Sequence, residues 1–309
     1  MTVSETMPLA VDREARELTS RPSRPRGKRP SGPVTSGLVV TRVVTYAIMA
    51  VMVVLTVYPL LWMAMGGFKN GAEFYQNIWG IPATLDFSNF AYAWTEADLG
   101  HKFLNSILVT VGTMALTLPI TSMAGYALAK IRFRGRGVAY VVILLGIMVP
   151  YGVIAIPVFT VIVDLHLLNT LLGLILVYTA NAIPLGVFLM YSFFESIPDE
   201  LEEAAQVDGC TPIGAFFRVV LPLARPGLAT QLILTGTTVW NEYFMASLLI
   251  HQESLQTLPL GLVVFTSRYG TDYPQLFAAL TIVTLPMVVL YLAAQKQFIS
   301  GLAAGAVKG

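Results

Sequence analysis

The sequence predicts an all-α membrane protein that crosses the bilayer six times. Its 309 residues are 55% hydrophobic and only 12% charged, which is about half the charged share of a typical soluble domain. The charges are also unevenly placed, because long apolar stretches alternate with short polar segments. Lysine and arginine are concentrated in alternate polar segments, as expected for a chain that threads a membrane. These observations exclude a soluble globular domain.

Six apolar segments are each long enough to cross a bilayer as a helix, which requires about 20 residues. They cover residues 43–68, 103–129, 137–163, 165–194, 226–250 and 276–295. The first three contain no charged residue over 26, 27 and 27 positions. A soluble amphipathic helix would show polar residues on one face in every turn, and these segments do not. We therefore expect six transmembrane helices.

The basic residues predict the orientation of the chain in the cytoplasmic membrane. If both termini are cytoplasmic, 16 of the 19 lysines and arginines lie in cytoplasmic segments. Only Lys69, Lys102 and Arg268 then lie outside, and the inverted topology would reverse this ratio. Because lysine and arginine near the ends of spans stay on the cytoplasmic side, the sequence predicts a multi-pass protein with both termini inside.

The polar segments divide the chain into five regions. Residues 1–36 are rich in Pro, Arg, Ser and Gly and are expected to form a disordered cytosolic tail. A first transmembrane helix at 37–66 and an external loop at 67–102 follow. The membrane core is expected at 103–297, and a short cytosolic tail at 298–309 closes the chain.

One polar site is expected within the spans, around the only acid in the segment 226–250. Glu242 is eight residues from Ile250, or roughly 12 Å if the helix is continuous. A carboxyl group at such a depth is costly unless it faces a cavity or a partner. The substrate-path candidates are Asn181, Trp240, Asn241, Glu242 and Tyr243, with Trp240 as an aromatic plate for a sugar. Alternatively, Asn241 and Glu242 only tie neighbouring helices together by hydrogen bonds.

The cytosolic loop 195–225 is the most acidic stretch of the chain, since residues 195–208 hold six of the 18 acids. Ser196 is a candidate N-cap, and acids in the first turn favour a helix that runs to about Asp208. Gly209 is then expected to end this helix, and a second short helix is expected from Pro212 to about Val220.

One narrow face of the first loop helix is predicted to be made of small or apolar residues. Leu201, Ala204, Ala205 and Asp208 fall at helical offsets of zero, three, four and seven. Such a face, surrounded by acids, would fit a groove on another protein. The alternative is a solvated helix that contacts nothing.

The loop also carries a spaced motif: Glu203, Ala204, Ala205, then Gly209 after three residues, Val219 after nine more, and Leu221 with Pro222. This pattern resembles the "EAA, x3, G, x9, I, x, LP" signature of permease subunits of ATP-binding-cassette (ABC) importers, with Val219 in place of isoleucine. Five further segments resemble the carbohydrate branch of this family, in particular its maltose-type second permease subunit. They are "AGYALAKIRFRG" (124–135), "LLNTLLGLIL" (167–176), "WNEY" (240–243), "LPLGL" (258–262) and the "GAVKG" end.

The resemblance implies a type I ABC importer permease fold and a coupling helix that docks into a cytosolic ATPase. The coupling residues it implies are Glu202, Glu203, Ala204, Ala205, Asp208, Gly209, Leu221 and Pro222. The expected partners are a second homologous permease, a dimer of ABC ATPases and an extracytoplasmic sugar-binding protein. ATP and Mg²⁺ would bind to those ATPases, because this sequence has no GxxxxGK[ST] loop. The implied function is import of a carbohydrate, with a di- or oligosaccharide expected.

Three other functions are alternatives to this hypothesis. An ABC permease for a non-sugar solute would share the same loop. An ion-driven secondary transporter would be expected to show several intramembrane acids and inverted repeats, whereas Glu242 is the one charge deep in a span. A membrane-embedded enzyme would need paired catalytic groups such as HExxH or GxSxG, which the sequence lacks. No catalytic residue, metal site or nucleic-acid partner is predicted.

Overall fold

The structure is a computed structural model, and it describes residues 36–267 and 270–306. The predicted disordered tail at 1–36 therefore lies outside the described residues except for Ser36, where the first helix begins. The predicted tail at 298–309 is described only to Ala306, the last residue of the final helix. Within the described residues, the chain up to Thr56 and the chain from Val57 onward belong to two separate units. In the first unit, the helix segment 40–56 exposes its side chains. All contacts below lie within the second unit.

The described chain is helical apart from one pair of two-residue strands. The longer helices are α1 (Ser36–Gly67), α4 (Leu99–Lys130), α5 (Arg136–Met148), α6 (Ala155–Asp164), α7 (Leu171–Glu195), α10 (Arg225–Trp240) and α13 (Tyr273–Ala306). The shorter ones are α2 (Gly71–Gln76), α3 (Ser88–Thr95), α8 (Asp199–Val207), α9 (Pro212–Leu223), α11 (Phe244–Leu249) and α12 (Leu258–Gly261). Strands β1 (Thr266–Ser267) and β2 (Gly270–Thr271) pair antiparallel.

The expected count of six spans is not reproduced by uninterrupted helices. Within the described residues, four helices are long and apolar enough to cross a membrane: α1, α4, α7 and α13. A fifth crossing results if α9 and α10, which meet at an angle of 71°, are counted as one broken span. The chain is thus a predominantly helical, multi-span membrane protein, but two of the six apolar segments are interrupted.

The segment 137–163 is interrupted between α5 and α6 because proline and its neighbour cannot continue a helix. Pro150 has no N–H to donate to the preceding turn, and the residue before a proline is displaced from the helical region. Val149 accordingly adopts an extended conformation, with φ −79° and ψ 114°. The helices on either side have 13 and 10 residues, and each is too short to span a bilayer alone.

The centre of the fold is the close packing of α4 against α7. A glycine, Gly125, permits this approach, because a Cβ atom at that position would lie 2.8 Å from Met190 Cβ and 2.9 Å from the backbone nitrogen of Tyr191. Buried threonines on α4, including Thr113 and Thr117, also lie in the helix interfaces. Small residues are common at membrane helix interfaces for this reason.

We expect Gly125→Ala to destabilise the protein by about 1–3 kcal/mol, since the added methyl group must push α4 and α7 apart. The matched control is Gly137→Ala in α5, where a Cβ atom meets nothing within 4 Å. Both changes replace a helical glycine with alanine, so a lower thermal unfolding midpoint for Gly125→Ala than for Gly137→Ala reports the steric effect. Equal midpoints for the two variants would contradict the close contact.

At its other end, α4 anchors the segment that follows α11. Asn105 donates from Nδ2 to the carbonyl oxygens of Ser254 and Gln256, at 2.9 Å each. The Ser106 hydroxyl accepts from the backbone nitrogen of Leu258 at 2.8 Å. The ammonium group of Lys102 is fully buried and donates to the Ala97 carbonyl oxygen at 3.1 Å. The Leu99 end of α4 thus orders the chain from 253 to 258.

Candidate functional site

The loop 195–225 contains two helices, as its sequence predicts, but they begin differently. Helix α7 runs to Glu195 and Ser196 is its C-cap, and the Ser196 hydroxyl donates to the Phe193 carbonyl oxygen. The expectation that Ser196 caps the next helix is therefore wrong. Pro198 precedes α8 instead, with φ −58° and ψ 137°, and no side chain caps this end. Asp199, Glu200 and Glu202 in the first turn complement the helix dipole.

Gly209 ends α8 in the left-handed conformation that its position requires. Its φ is +91°, and its N–H donates to the Gln206 carbonyl oxygen at 3.0 Å. The next N–H, from Cys210, reaches back to the Ala205 carbonyl oxygen at 2.9 Å. These two bonds form a Schellman motif, which a glycine at this position favours because it has no Cβ atom.

The small-residue face that the spacing predicts for α8 is largely exposed in this chain. Of the four residues on the predicted face, only Ala205 is buried, whereas Leu201, Ala204 and Asp208 are exposed. Glu202 is half-buried and lies one turn before Ala205, so these two residues face the rest of the chain. The other three residues of the predicted face stay exposed, and Glu202 accepts a hydrogen bond from Tyr126 of α4.

The exposed side of the loop is unusually apolar for so acidic a segment. Val207 is 87% exposed, and Ile213 in α9 is 73% exposed. Glu203, Ala204, Asp208 and Gly209 are also exposed. Leu221 packs against the cluster of Met190, Phe194, Phe216, Val220 and Ala224, while Pro222 lies in the last turn of α9. We call the exposed residues among 203–213, that is, all of them except Ala205 and Cys210, the loop surface.

Two residues from the Lys130 end of α4 bind the start of α8. Tyr126 donates its hydroxyl to Glu202 Oε1 at 2.5 Å. Lys130 Nζ donates to the Ile197 carbonyl oxygen and to Asp199 Oδ1, at 2.5 Å each. The hydrogen bond and charge of Lys130 lower the pKa of the exposed Asp199 carboxyl group below its ordinary value. The shift reflects a direct interaction of Asp199 with Lys130.

A cavity of about 310 Å³ lies among α7, α10 and the segment between α5 and α6. Its polar lining comes from Tyr151, Tyr178, Asn181, Gln231, Thr235, Thr238 and Glu242. A second, more apolar groove of about 550 Å³ lies between α6 and α7, and Tyr151 and Asn181 line both. The cavity is of the size that small-molecule sites generally have.

Glu242 lies at a break in the helix, not within a continuous span. Helix α10 ends at Trp240, and the Glu242 carboxylate then accepts from the backbone nitrogens of Met245 and Ala246, at 2.8 and 3.1 Å. The same carboxylate accepts a hydrogen bond from the hydroxyl of Tyr178 in α7. The carboxylate therefore satisfies the first N–H groups of α11 and lines the cavity. The distance between Glu242 and Ile250 that was expected for a continuous helix therefore does not apply.

Of the other predicted substrate-path residues, one lines the cavity with Glu242 and three do not. Asn181 lines the cavity with Glu242. Trp240 instead points away: it is buried, donates from Nε1 to the Val283 carbonyl oxygen at 3.1 Å, and packs edge-on against Phe103. Its predicted role as an aromatic plate is therefore not supported by its position. Asn241 bonds the Thr237 carbonyl oxygen, and Tyr243 is half-exposed outside the cavity lining.

Sequence reasoning missed several residues of these sites. Gln231 is fully buried in the cavity wall, and a glutamine in an apolar segment is itself a signal for a functional position. Tyr126 and Lys130 lie in "AGYALAKIRFRG", where Lys130 had an ordinary explanation as a cytoplasmic anchor. Tyr178 carried no signal, because a tyrosine in an apolar run is unremarkable.

The fold and these sites define a class: a multi-span helical membrane protein with a cavity among its helices and an exposed helical loop. Residues 118–303 match the family model described as "Binding-protein-dependent transport system inner membrane component". The chain belongs to this family, and the matched region includes both the loop and the cavity.

Similar proteins agree with the family assignment. The chain is 42% identical over 252 residues to the "Probable ABC transporter permease protein YurM" of Bacillus subtilis, covering 82% of this chain and 84% of that protein. It is 35% identical over 264 residues to the "Diacetylchitobiose uptake system permease protein NgcG" of Streptomyces coelicolor, covering 85% and 87%. The fold also matches a crystal structure of a bacterial ABC transporter involved in the import of the acidic polysaccharide alginate. The TM-score is 0.74 and the sequence identity is 26%, and the match covers 84% of this chain and 96% of that chain.

Proposed function

We propose that this chain is a permease subunit of an ATP-driven importer that moves a carbohydrate, such as a di- or oligosaccharide, across the cytoplasmic membrane. The observation that carries the proposal is the loop surface. Two apolar side chains, Val207 and Ile213, are largely exposed on a short acidic loop between spans. An exposed apolar patch with a polar surround is typical of a protein interface. The partner that fits the family is a cytosolic ATPase.

In this arrangement the chain supplies the path and its partners supply the energy. The partners are a second homologous permease, a pair of ABC ATPases that bind ATP and Mg²⁺, and an extracytoplasmic sugar-binding protein. The interrupted pairs α5 with α6 and α10 with α11 serve as the third and fifth of six crossings, which places both termini on one side, and we infer that this is the cytoplasmic side. The distribution of 16 basic residues to 3 supports this orientation.

The cavity is the proposed section of the sugar path in this subunit. Asn181 and Glu242 supply amide and carboxylate groups, and Gln231 with the two tyrosines supplies further polar groups. Such groups bond sugar hydroxyls, whereas the apolar part of the wall suits the C–H faces of a sugar ring. The similarity to a diacetylchitobiose permease and to an alginate importer supports a carbohydrate as the cargo.

We expect the intact complex, purified from its native membrane through this chain, to contain an ABC ATPase and a second permease. A screen of sugars with the cognate binding protein should find one that stimulates ATP hydrolysis. The control is the same preparation without the binding protein, in which the sugar alone should not stimulate hydrolysis. Purification of the chain without an ATPase, together with uptake that an ionophore abolishes, would contradict the proposal and favour an ion-driven transporter.

A further inference from the structure

We propose that Tyr126 and Lys130 are positioning residues that fasten α8 to the Lys130 end of α4, so that displacement of α8 by the ATPase also moves α4. The inference rests on the proposed function, in which α8 is the helix that meets the ATPase. What it adds is the route by which the movement enters the membrane. That route runs through α4 and not only through α7, the helix next to α8 in sequence.

Lys130 holds the chain at the point where α8 begins. Its side chain is only 8% exposed, although its ion-pair partner Asp199 is 68% exposed. The ammonium group bonds a backbone carbonyl at Ile197 and a side-chain carboxylate at Asp199, on either side of Pro198. A charged hydrogen bond to the backbone fixes the chain itself, which a contact between two flexible side chains would not.

Tyr126 adds a second attachment one helical turn away. Residues 126 and 130 share one face of α4, because side chains four positions apart lie next to each other. The Tyr126 hydroxyl bonds Glu202, three residues beyond Asp199, and its ring centroid lies 4.6 Å from that of Phe216 in α9. Both helices of the loop therefore contact the same face of α4.

The covalent connection to α7 does not by itself fix the direction of α8. The backbone N–H groups of Ser196 and Ile197 close the last turn of α7 on the carbonyl oxygens of Phe193 and Phe194. The chain then turns at Pro198. Rotation of α8 about this turn would require the bonds from Tyr126 and Lys130 to break. The attachments to α4 thus make α8 follow that helix.

The same helix also contacts the cavity wall. Thr121 lies five residues before Tyr126, or roughly 7.5 Å along α4. Gln231 donates from Nε2 to Thr121 Oγ1 at 2.6 Å, and Gln231 lines the cavity. Gly186 of α7 leaves room for this pair, since a Cβ atom there would lie 2.4 Å from Gln231 Nε2. Movement of α4 would therefore be transmitted to the cavity wall.

The test uses the complete complex with its partner subunits in proteoliposomes, and measures sugar transported per ATP hydrolysed. We expect Lys130→Met and Tyr126→Phe each to lower this ratio about fivefold or more, the lower end of ordinary coupling between sites. The ATPase should still co-purify in wild-type amount, because the loop surface is unchanged. Lys130→Arg should retain most of the wild-type ratio, since a guanidinium group can bond the same two oxygens.

Arg134→Met is the matched control, because it removes one positive charge from an exposed position four residues from Lys130. It should leave the ratio near that of the wild type. A wild-type ratio in Lys130→Met would overturn the inference, and so would loss of the ATPase from that variant, which would show a role in docking. Absence of an ATPase from the wild-type complex would instead refute the proposed function, and the inference with it.

Discussion

Gly209→Pro is expected to lower sugar transport by about tenfold or more while the chain still inserts and folds. Proline fixes φ near −65°, whereas Gly209 has φ +91° and donates its N–H to Gln206. Proline also disfavours the conformation of the residue before it, and Asp208 has φ −73° and ψ 6°. The lost bond and the two conformational conflicts together raise the free energy of the native turn by roughly 2–3 kcal/mol. This cost is enough to abolish the native turn. The measurement is uptake by proteoliposomes that hold the complete complex.

The reason for the large effect is the position of Gly209 between the two parts of the loop surface. Val207 lies before the turn and Ile213 lies after it, so the turn fixes the distance between them. An altered turn would present the proposed ATPase partner with two surfaces that no longer fit together. ATP hydrolysis by the associated ATPases should then be weakened or uncoupled from transport.

Two substitutions at the same position are controls. Gly209→Asn should be close to wild type, because asparagine tolerates the left-handed conformation. Gly209→Ala should be intermediate: a Cβ atom would meet nothing within 4 Å, so only the backbone penalty of about 1–2 kcal/mol acts. Equal transport by the proline and asparagine variants would show that this turn is not needed for coupling.

The loop could be predicted well because its signals are local. Acids after Pro198 favour the start of a helix, and Gly209 supplies the one backbone conformation that ends it where the structure does. Ser196 shows the limit of such signals. Serine is favoured before a helix, but the preceding helix extends to Glu195 and uses this residue in its own last turn.

The interruptions of the spans could be predicted only in part. Pro150 is a local signal for the break between α5 and α6, yet prolines also occur inside α1, α4, α7 and α13, which remain continuous. The break after Trp240 has no proline at all. It depends on Glu242, which bonds both the next helix and Tyr178, 64 positions earlier in the chain. Such a contact between distant positions cannot be read from one segment.

The orientation of each side chain around its helix was the least predictable feature. Trp240 and Glu242 are two residues apart, yet the indole is buried against α13 and the carboxylate lines the cavity. In an apolar span there is no polar stripe to show which face meets solvent, so hydrophobic periodicity carries little information. The pair Tyr126 and Glu202 was hidden for a related reason, since it joins two elements 76 positions apart.

Glu242→Ala is expected to destabilise the protein by roughly 3 kcal/mol and to reduce uptake correspondingly. The substitution removes the acceptor of three donors: the backbone N–H groups of Met245 and Ala246, and the Tyr178 hydroxyl. A buried donor left without an acceptor costs about 1–3 kcal/mol, and side-chain hydrogen bonds in membrane proteins average about 0.6 kcal/mol. The measurements are the thermal unfolding midpoint of the purified complex and the dependence of uptake on sugar concentration.

The comparison with two other variants separates the roles of Glu242. Ser247→Ala removes one exposed bond, from its hydroxyl to the Phe244 carbonyl oxygen, and should change the midpoint little. Glu242→Gln keeps one acceptor oxygen and should be intermediate, because the amide NH₂ group cannot accept from a backbone N–H. A lowered midpoint with unchanged sugar affinity would mean that the carboxylate shapes the cavity by holding α11 to α7. An unchanged midpoint in Glu242→Ala would contradict the structural role, and an unchanged sugar affinity would contradict the proposed contact of the carboxylate with the sugar.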